Sequence, residues 1–351
     1  MKSYLLNKKV RNVDMTLKDI AKEVGVSSVT VSNVINGNHK KVSADTIVRI
    51  EEVIAKYNYK PNATARSLAM KKSNIIGFII PYVGENDNFL KSPYNAEIFG
   101  VFESYVRNRG YYLMVRCVKS CIDIISLFST WNVDGLIFLG AFENEVEEIR
   151  KKMQLPLVFL DTYFDNIEIA NVGADDFKGG YLAAKYLIAR GHKDIAFIGP
   201  EYSRTGVISE RVKGYKKALE ESNLEFLPSR NYITNTSYDD GIEVGKKIAF
   251  SSENITAIIS MSDILALGCM EGLRLSGKIV PDNISIIGFD NIPECRYSNP
   301  KLTTVSQNIS LKAEKLAEYL FMMIENKEQI VVNDKVDVEI IERQSVKSLY
   351  Y

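Results

Sequence analysis

Apolar positions in residues 16–57 recur at helical spacing and mark three short helices. Leu17, Ile20, Ala21 and Val24 share one face, Val31, Val34 and Ile35 supply a second, and Ile47, Ile50, Ile54 and Tyr57 form a third. Thr16, Ser27 and Ser43 stand where N-caps are needed, and Asp19 is placed to close a capping box with Thr16. Gly25 ends the first helix. Two short helices joined by so tight a turn predict a helix-turn-helix, whose second helix enters the major groove of DNA by its N-terminal half. An ordinary amphipathic helix pair is the plain structural alternative. The exposed N-terminal half carries short side chains: Ser28, Val29 and Asn33 are predicted to read bases, and Thr30, Ser32 and Asn36 to hold phosphates. Val29 offers no hydrogen bond and suits a thymine methyl. His39, Lys40 and Lys41, in the loop before the third helix, are within reach of a phosphate or simply solvated.

Pro61 stops the third helix. The next two turns, ATARSLAMKKS, have too few apolar residues to hold a helix alone. From Asn74 the texture changes to strand-length apolar runs at 75–80, 133–140, 155–161, 194–200, 256–263 and 283–291. Helical stretches at 96–111, 179–190, through RVKGYKKALEES and through ALGCMEGLRLSG alternate with them. This rhythm predicts parallel sheets covered on both faces, with too many strands for one sheet.

The chain has 351 residues, 46% of them hydrophobic, enough for more than one domain. Its formal charge of zero hides a split: residues 1–73 carry 14 Lys plus Arg against 6 Asp plus Glu, and the remainder 30 against 38. A basic head on an acidic body fits a nucleic-acid-binding module joined to a sensor. Cys117, Cys121, Cys269 and Cys295 have neither disulfide-framework nor zinc spacing and read as buried free thiols. With no signal-peptide pattern and no membrane-length apolar run, a cytoplasmic location is expected.

The strings TLKDIAKEVGVS and VSNVING resemble the headpiece of the lactose-repressor (LacI) family of bacterial transcription regulators. The resemblance continues in order through VDGLIF, ARGHKDIAFIGP, RVKGY, SDILALG, ISIIGFDN and PKLTTVSQN, covering roughly residues 15–346. It implies an all-α headpiece (16–60) and a hinge (61–73), preceded by an extension (1–15) that is either translated or bypassed by a start at Met15. It also implies an α/β effector domain (74–351) of two periplasmic-binding-protein-like lobes, each built on a parallel doubly wound sheet. The lobes are expected at 74–172 plus 304–333 and 173–303 plus 334–351, with crossings near 172–174, 303–306 and 333–336. In the hinge, Leu68 matches the family's minor-groove wedge, flanked by Ala65 and Arg66.

Ligand residues are expected where strands end at the crevice between lobes. Asp161, Arg211 and Asp290 match positions that commonly contact the effector in the family, Tyr94 matches more weakly, Ser262 sits at another strand end, and Arg204 is a further candidate. Asp263 reads more readily as a helix cap. Trp131 does not match the family's sugar-stacking position, so a platform for a carbohydrate has to be a Tyr or Phe, with Tyr163 and Tyr238 as candidates. Two histidines, no GxGxxG after a strand and no phosphate-loop spacing argue against an enzyme, and no cofactor or metal is expected. The family implies a homodimer on a pseudo-palindromic operator, with the effector either inducing or corepressing. A two-lobed solute receptor is the competing function.

Overall fold

The computed structural model describes residues 15–59, 72–81, 89–128, 132–141, 143–163, 168–202 and 205–350. Residues 1–14, residues 60–71 with Ala65, Arg66 and Leu68 of the expected hinge, and both Trp131 and Arg204 lie outside the described residues. The chain forms two compact units, 1–73 and 74–351.

The first unit is helical. Helix α1 (Leu17–Val24) begins in a reciprocal capping box between Thr16 and Asp19 and ends at Gly25, whose φ of 76° requires the left-handed conformation glycine tolerates. Helix α2 (Ser28–Ile35) is capped by Ser27 and α3 (Ala44–Lys56) by Ser43. Ile20, Ala21, Val24, Val31, Val34 and Ile50 make the core. Tyr57, expected on the buried stripe, is exposed at the end of α3 and donates its hydroxyl to Glu23.

The second unit contains two six-stranded sheets, in spatial order β11-β5-β4-β3-β1-β2 and β12-β10-β9-β8-β6-β7. The first comprises β1 (Ile75–Pro81), β2 (Tyr112–Val118), β3 (Gly135–Leu139), β4 (Leu157–Leu160), β5 (Ala170–Ala174) and β11 (Val332–Val336). The second comprises β6 (Ile195–Gly199), β7 (Asn231–Ile233), β8 (Ala257–Ser260), β9 (Ser285–Asp290), β10 (Thr303–Gln307) and β12 (Val338–Ile341). The central strands are continuously buried, as parallel strands covered on both faces must be. Helices α4 (Pro93–Asn108), α5 (Asp123–Phe128), α6 (Glu143–Lys152) and α11 (Ile309–Asn326) accompany the first sheet. Helices α7 (Asp176–Ile188), α8 (Val207–Glu221), α9 (Tyr238–Ala249) and α10 (Asp263–Leu275) accompany the second.

Pairing is parallel throughout except that β12 runs antiparallel to β10. Only Asp337 separates β11 from β12, so the chain passes straight from one sheet to the other without the crossover a parallel return needs. The three crossings therefore follow β5, β10 and β11. The latter two fall just beyond the expected positions, because β10 pairs with β9 up to Ser306 and β11 with β5 up to Val336 before the chain leaves each sheet. Cys117, expected to be buried, is exposed on edge strand β2; the other three cysteines are buried.

Candidate functional site

The helix-turn-helix presents α2 by its N-terminal half. Val29 is 69% exposed, while Ser28 and Asn33 are half-buried. The Asn33 side-chain amide has no partner among the described residues. The residues expected beside phosphates also make local hydrogen bonds: Thr30 and Ser27 hydroxyls lie 2.9 Å apart, and Asn36 Nδ2 donates to Ser32 Oγ at 3.2 Å. His39, Lys40 and Lys41 form an exposed single turn of 3-10 helix.

In the second unit, Tyr94, Asp161, Arg211, Ser262 and Asp290 all line one cavity of about 780 Å³. They come from α4, the end of β4, α8, the end of β8 and the end of β9, so both lobes contribute to its wall. That volume is in the range of small-molecule sites. The strand ends carry unusual backbone: Asp161 has φ 54°, Asp290 φ 116° and Asn291 φ 64°. Non-glycine residues at positive φ cluster at ligand sites, where surrounding structure holds them in place.

Two ion pairs organise the wall. Arg211 Nε donates to Asp176 Oδ1 at 2.8 Å, its Nη1 donates to the Met261 carbonyl, and its guanidinium stacks 3.4 Å from the Phe289 ring centroid. Tyr163 donates its hydroxyl to the other Asp176 oxygen at 2.6 Å. Tyr163 is thus no stacking platform: it is buried over Gly173, where a Cβ would approach its hydroxyl oxygen to 2.3 Å. Tyr238, by contrast, lines the cavity and is partly exposed. In the second pair the Lys312 ammonium donates to Asp161 Oδ1 at 2.7 Å, and Tyr94 also donates to that carboxylate, at 2.5 Å. Gln307 Nε2 donates to Asp290 Oδ1 at 2.6 Å.

Burial governs the proton affinities. It pushes Asp290 up to about 8, against the opposing pull of Arg211 and with help from Asp263. Burial likewise raises Asp176 despite its arginine partner, and burial with nearby carboxylates holds the Tyr94 and Tyr163 protons firmly in place. Asp263 does not cap α10, a role taken by Ser262. Its oxygens accept from Thr304 Oγ1 at 2.6 Å and from the Ile292 N–H at 3.0 Å, binding β10 and the loop after β9 to the helix.

Sequence reasoning missed Asp176, Gln307 and Lys312. Lys312 was detectable, because it stands on the apolar stripe Ile309, Ala313, Leu316, Ala317 and Leu320, where a lysine needs a buried partner. Asp176 and Gln307 gave no such sign, being polar residues at element ends. No helix among the described residues is long and apolar enough to cross a membrane.

Comparison with known proteins bears on both units. Residues 16–62 match the model for bacterial regulatory proteins of the lacI family, and residues 184–346 match a periplasmic binding protein-like domain. The HTH-type transcriptional repressor PurR of Pasteurella multocida is 34% identical over 339 residues, spanning 95% of this chain and 99% of the relative. The lac repressor dimer bound to operator and the anti-inducer ONPF superposes with a TM-score of 0.83 at 26% identity, over 95% of this chain and 99% of that one. A LacI family regulator from Enterococcus faecium with bound ribose does so with a TM-score of 0.68 at 26% identity, over 78% and 99%. These relatives are transcription regulators and not enzymes. With its helix-turn-helix DNA-binding domain and two-lobed ligand-binding domain, the chain belongs to the lacI family of bacterial regulatory proteins and is a transcriptional repressor.

Proposed function

We propose that the protein binds a pseudo-palindromic operator as a homodimer, in the cytoplasm, and that a small hydroxyl-rich molecule of carbohydrate type in the cleft sets its DNA affinity. The observation that carries this reading is the convergence of Tyr94, Asp161, Arg211, Ser262 and Asp290, from both lobes, on one cavity. Such a wall senses lobe closure, because a ligand touching both sides binds the closed form better and can shift the equilibrium only by that difference. Ser28, Val29 and Asn33 read bases on α2, with Thr30, Ser32 and Asn36 beside phosphates. Leu68, flanked by Ala65 and Arg66, enters the minor groove at the centre of the site. The operator-bound dimer and the ribose-bound regulator among the similar structures support both halves of the reading.

The test is selection of bound duplexes from a randomised palindromic pool, followed by anisotropy titrations at several salt concentrations. Val29→Ala with Asn33→Ala should cost the selected site 10-fold or more while leaving non-specific DNA nearly unchanged, since base contacts are worth about 1–3 kcal/mol each. Equal affinity of wild type and variant for the selected site would remove α2 as the reader.

A further inference from the structure

Lys312 has no role in the reading above, yet it stands behind the centre of the cleft wall. It is the fourth residue of α11, and its side chain is 0% exposed. Its ammonium donates to both Asp161 oxygens, at 2.7 and 2.9 Å, to the Tyr94 hydroxyl oxygen at 2.7 Å and to Gln307 Oε1 at 2.8 Å. A buried lysine is tolerated only when paired and hydrogen-bonded in this way. Tyr94, Asp161 and Gln307 line the cavity, so Lys312 acts on whatever binds there through them. Because the Gln307 carbonyl faces Lys312, its amide nitrogen must face Asp290, and the orientation of the far wall follows from the same lysine.

The charges of the wall close on themselves. Lys312 is matched by Asp161 and Arg211 by Asp176, each within 2.8 Å. Asp290, shifted toward its neutral form by burial, adds little net charge. The other charged residues lining the cavity among the described residues, Lys91 and Asp239, are exposed and opposite in sign. An entering anion would meet an ammonium and a guanidinium whose charges are already matched by Asp161 and Asp176, so its desolvation would be offset by no net countercharge. An entering ammonium would find Asp161 already occupied.

We propose that Lys312 is a positioning residue that sets the charge class of the effector: by closing Asp161 into the wall, it makes the cleft select an uncharged, hydroxyl-bearing molecule over phosphorylated or amino-bearing forms of the same skeleton. This rests on the cleft being the effector site, and it goes further by fixing what that effector carries.

The test uses the full chain and matched probes: glucose, glucosamine and glucose 6-phosphate; ribose and ribose 5-phosphate; adenosine and AMP. Thermal shift and calorimetry on the wild type should favour the neutral member of each responding set at least 10-fold. A phosphate or amine binding more tightly than its parent overturns the proposal. Lys312→Met should move the preference toward glucosamine, and Asp161→Asn combined with Lys312→Met should restore it to glucose. A ligand-free measurement guards against weak binding or poor folding of the single variant. Between pH 5.5 and 8.5, the melting temperature of Lys312→Met should fall with rising pH more steeply than that of the wild type or the double variant, because the partly buried Asp161 carboxylate lacks its counter-ion. Superimposable profiles for all three refute the ion-pair basis. The regulatory reading fails separately, when a bound ligand leaves DNA release unchanged.

Discussion

Asp161 and Asp290 each pair a strained backbone with a carboxyl group at the end of a strand facing the cleft, partly buried at Asp161 and buried at Asp290. Such conformations cost on the order of 1–3 kcal/mol for a residue with a Cβ. For Asp290 the proton affinity adds a second cost that can be read in solution. Its folded pKa of about 8 lies above the ordinary carboxylate value, so the folded state holds a proton that the unfolded chain releases near pH 4. Stability contributed by this group is therefore greatest below pH 4 and declines as pH rises toward 8. Asp290→Asn, which keeps an acceptor for Gln307, should match the wild type near pH 4 and exceed its melting temperature at pH 8. A constant difference across that range would mean that Asp290 is not the titrating group. Asp161 and Asp290 were legible as cavity-lining residues because strand ends in an α/β sheet announce a crevice, whereas Arg211, on α8, was reached only through the family resemblance. Their counter-ions were not: Lys312 lies 151 residues from Asp161 and Asp176 lies 35 from Arg211, separations across which no local pattern acts.

Helices α7 and α8 set the distance across which Arg211 meets Asp176. A Cβ on Gly180 would stand 1.9 Å from the Arg211 carbonyl oxygen, and one on Gly214 would stand 1.9 Å from that of Phe177. The backbones touch, and both acidic and basic partners sit in the first turn or two of their helices. Gly180→Ala should force the helices apart, cost about 1–3 kcal/mol or more by overpacking, and weaken ligand binding by displacing Arg211. Gly100, in α4 with open space around it, is the contrast: alanine there should stabilise by about 0.5–1 kcal/mol. Urea midpoints for both variants check the pair, and an unperturbed Gly180→Ala would contradict the close approach. One boundary was misplaced. The sequence pattern started this helix at Gly179, whereas α7 begins at Asp176, because Asp175 caps it, its side chain accepting from the Lys178 N–H at 3.0 Å.

At the scale of the whole molecule, a small helical unit with six core residues accompanies a much larger α/β unit. A 45-residue three-helix core is marginal by size alone. A cleft ligand at 100 times its Kd should add about 2.7 kcal/mol to the stability of the unit it binds. Amide exchange in free protein should therefore slow across β4, β8 and β9 while α1–α3 exchange as before. Equal protection of α1–α3 would show that the headpiece senses the ligand even without DNA. Two-unit organisation and alternating strands and helices were legible from periodicity and the charge split. The antiparallel β12 was not, since its direction depends on a one-residue connection between sheets rather than on its own residues.

That threefold passage between sheets also governs how the protein is made. The first sheet takes its outer strand from Val332–Val336 and a core helix from Ile309–Asn326, both downstream of every strand of the second sheet up to β10. Synthesis at roughly 5–20 residues per second leaves the early strands β1–β5 waiting on the order of ten seconds or more for the partners that cover them. During that interval the apolar surface meant for Leu316, Leu320 and Phe321 is open to other chains. A prematurely terminated product would keep its headpiece while lacking a finished first lobe, so completion of that lobe waits on residues 309–336.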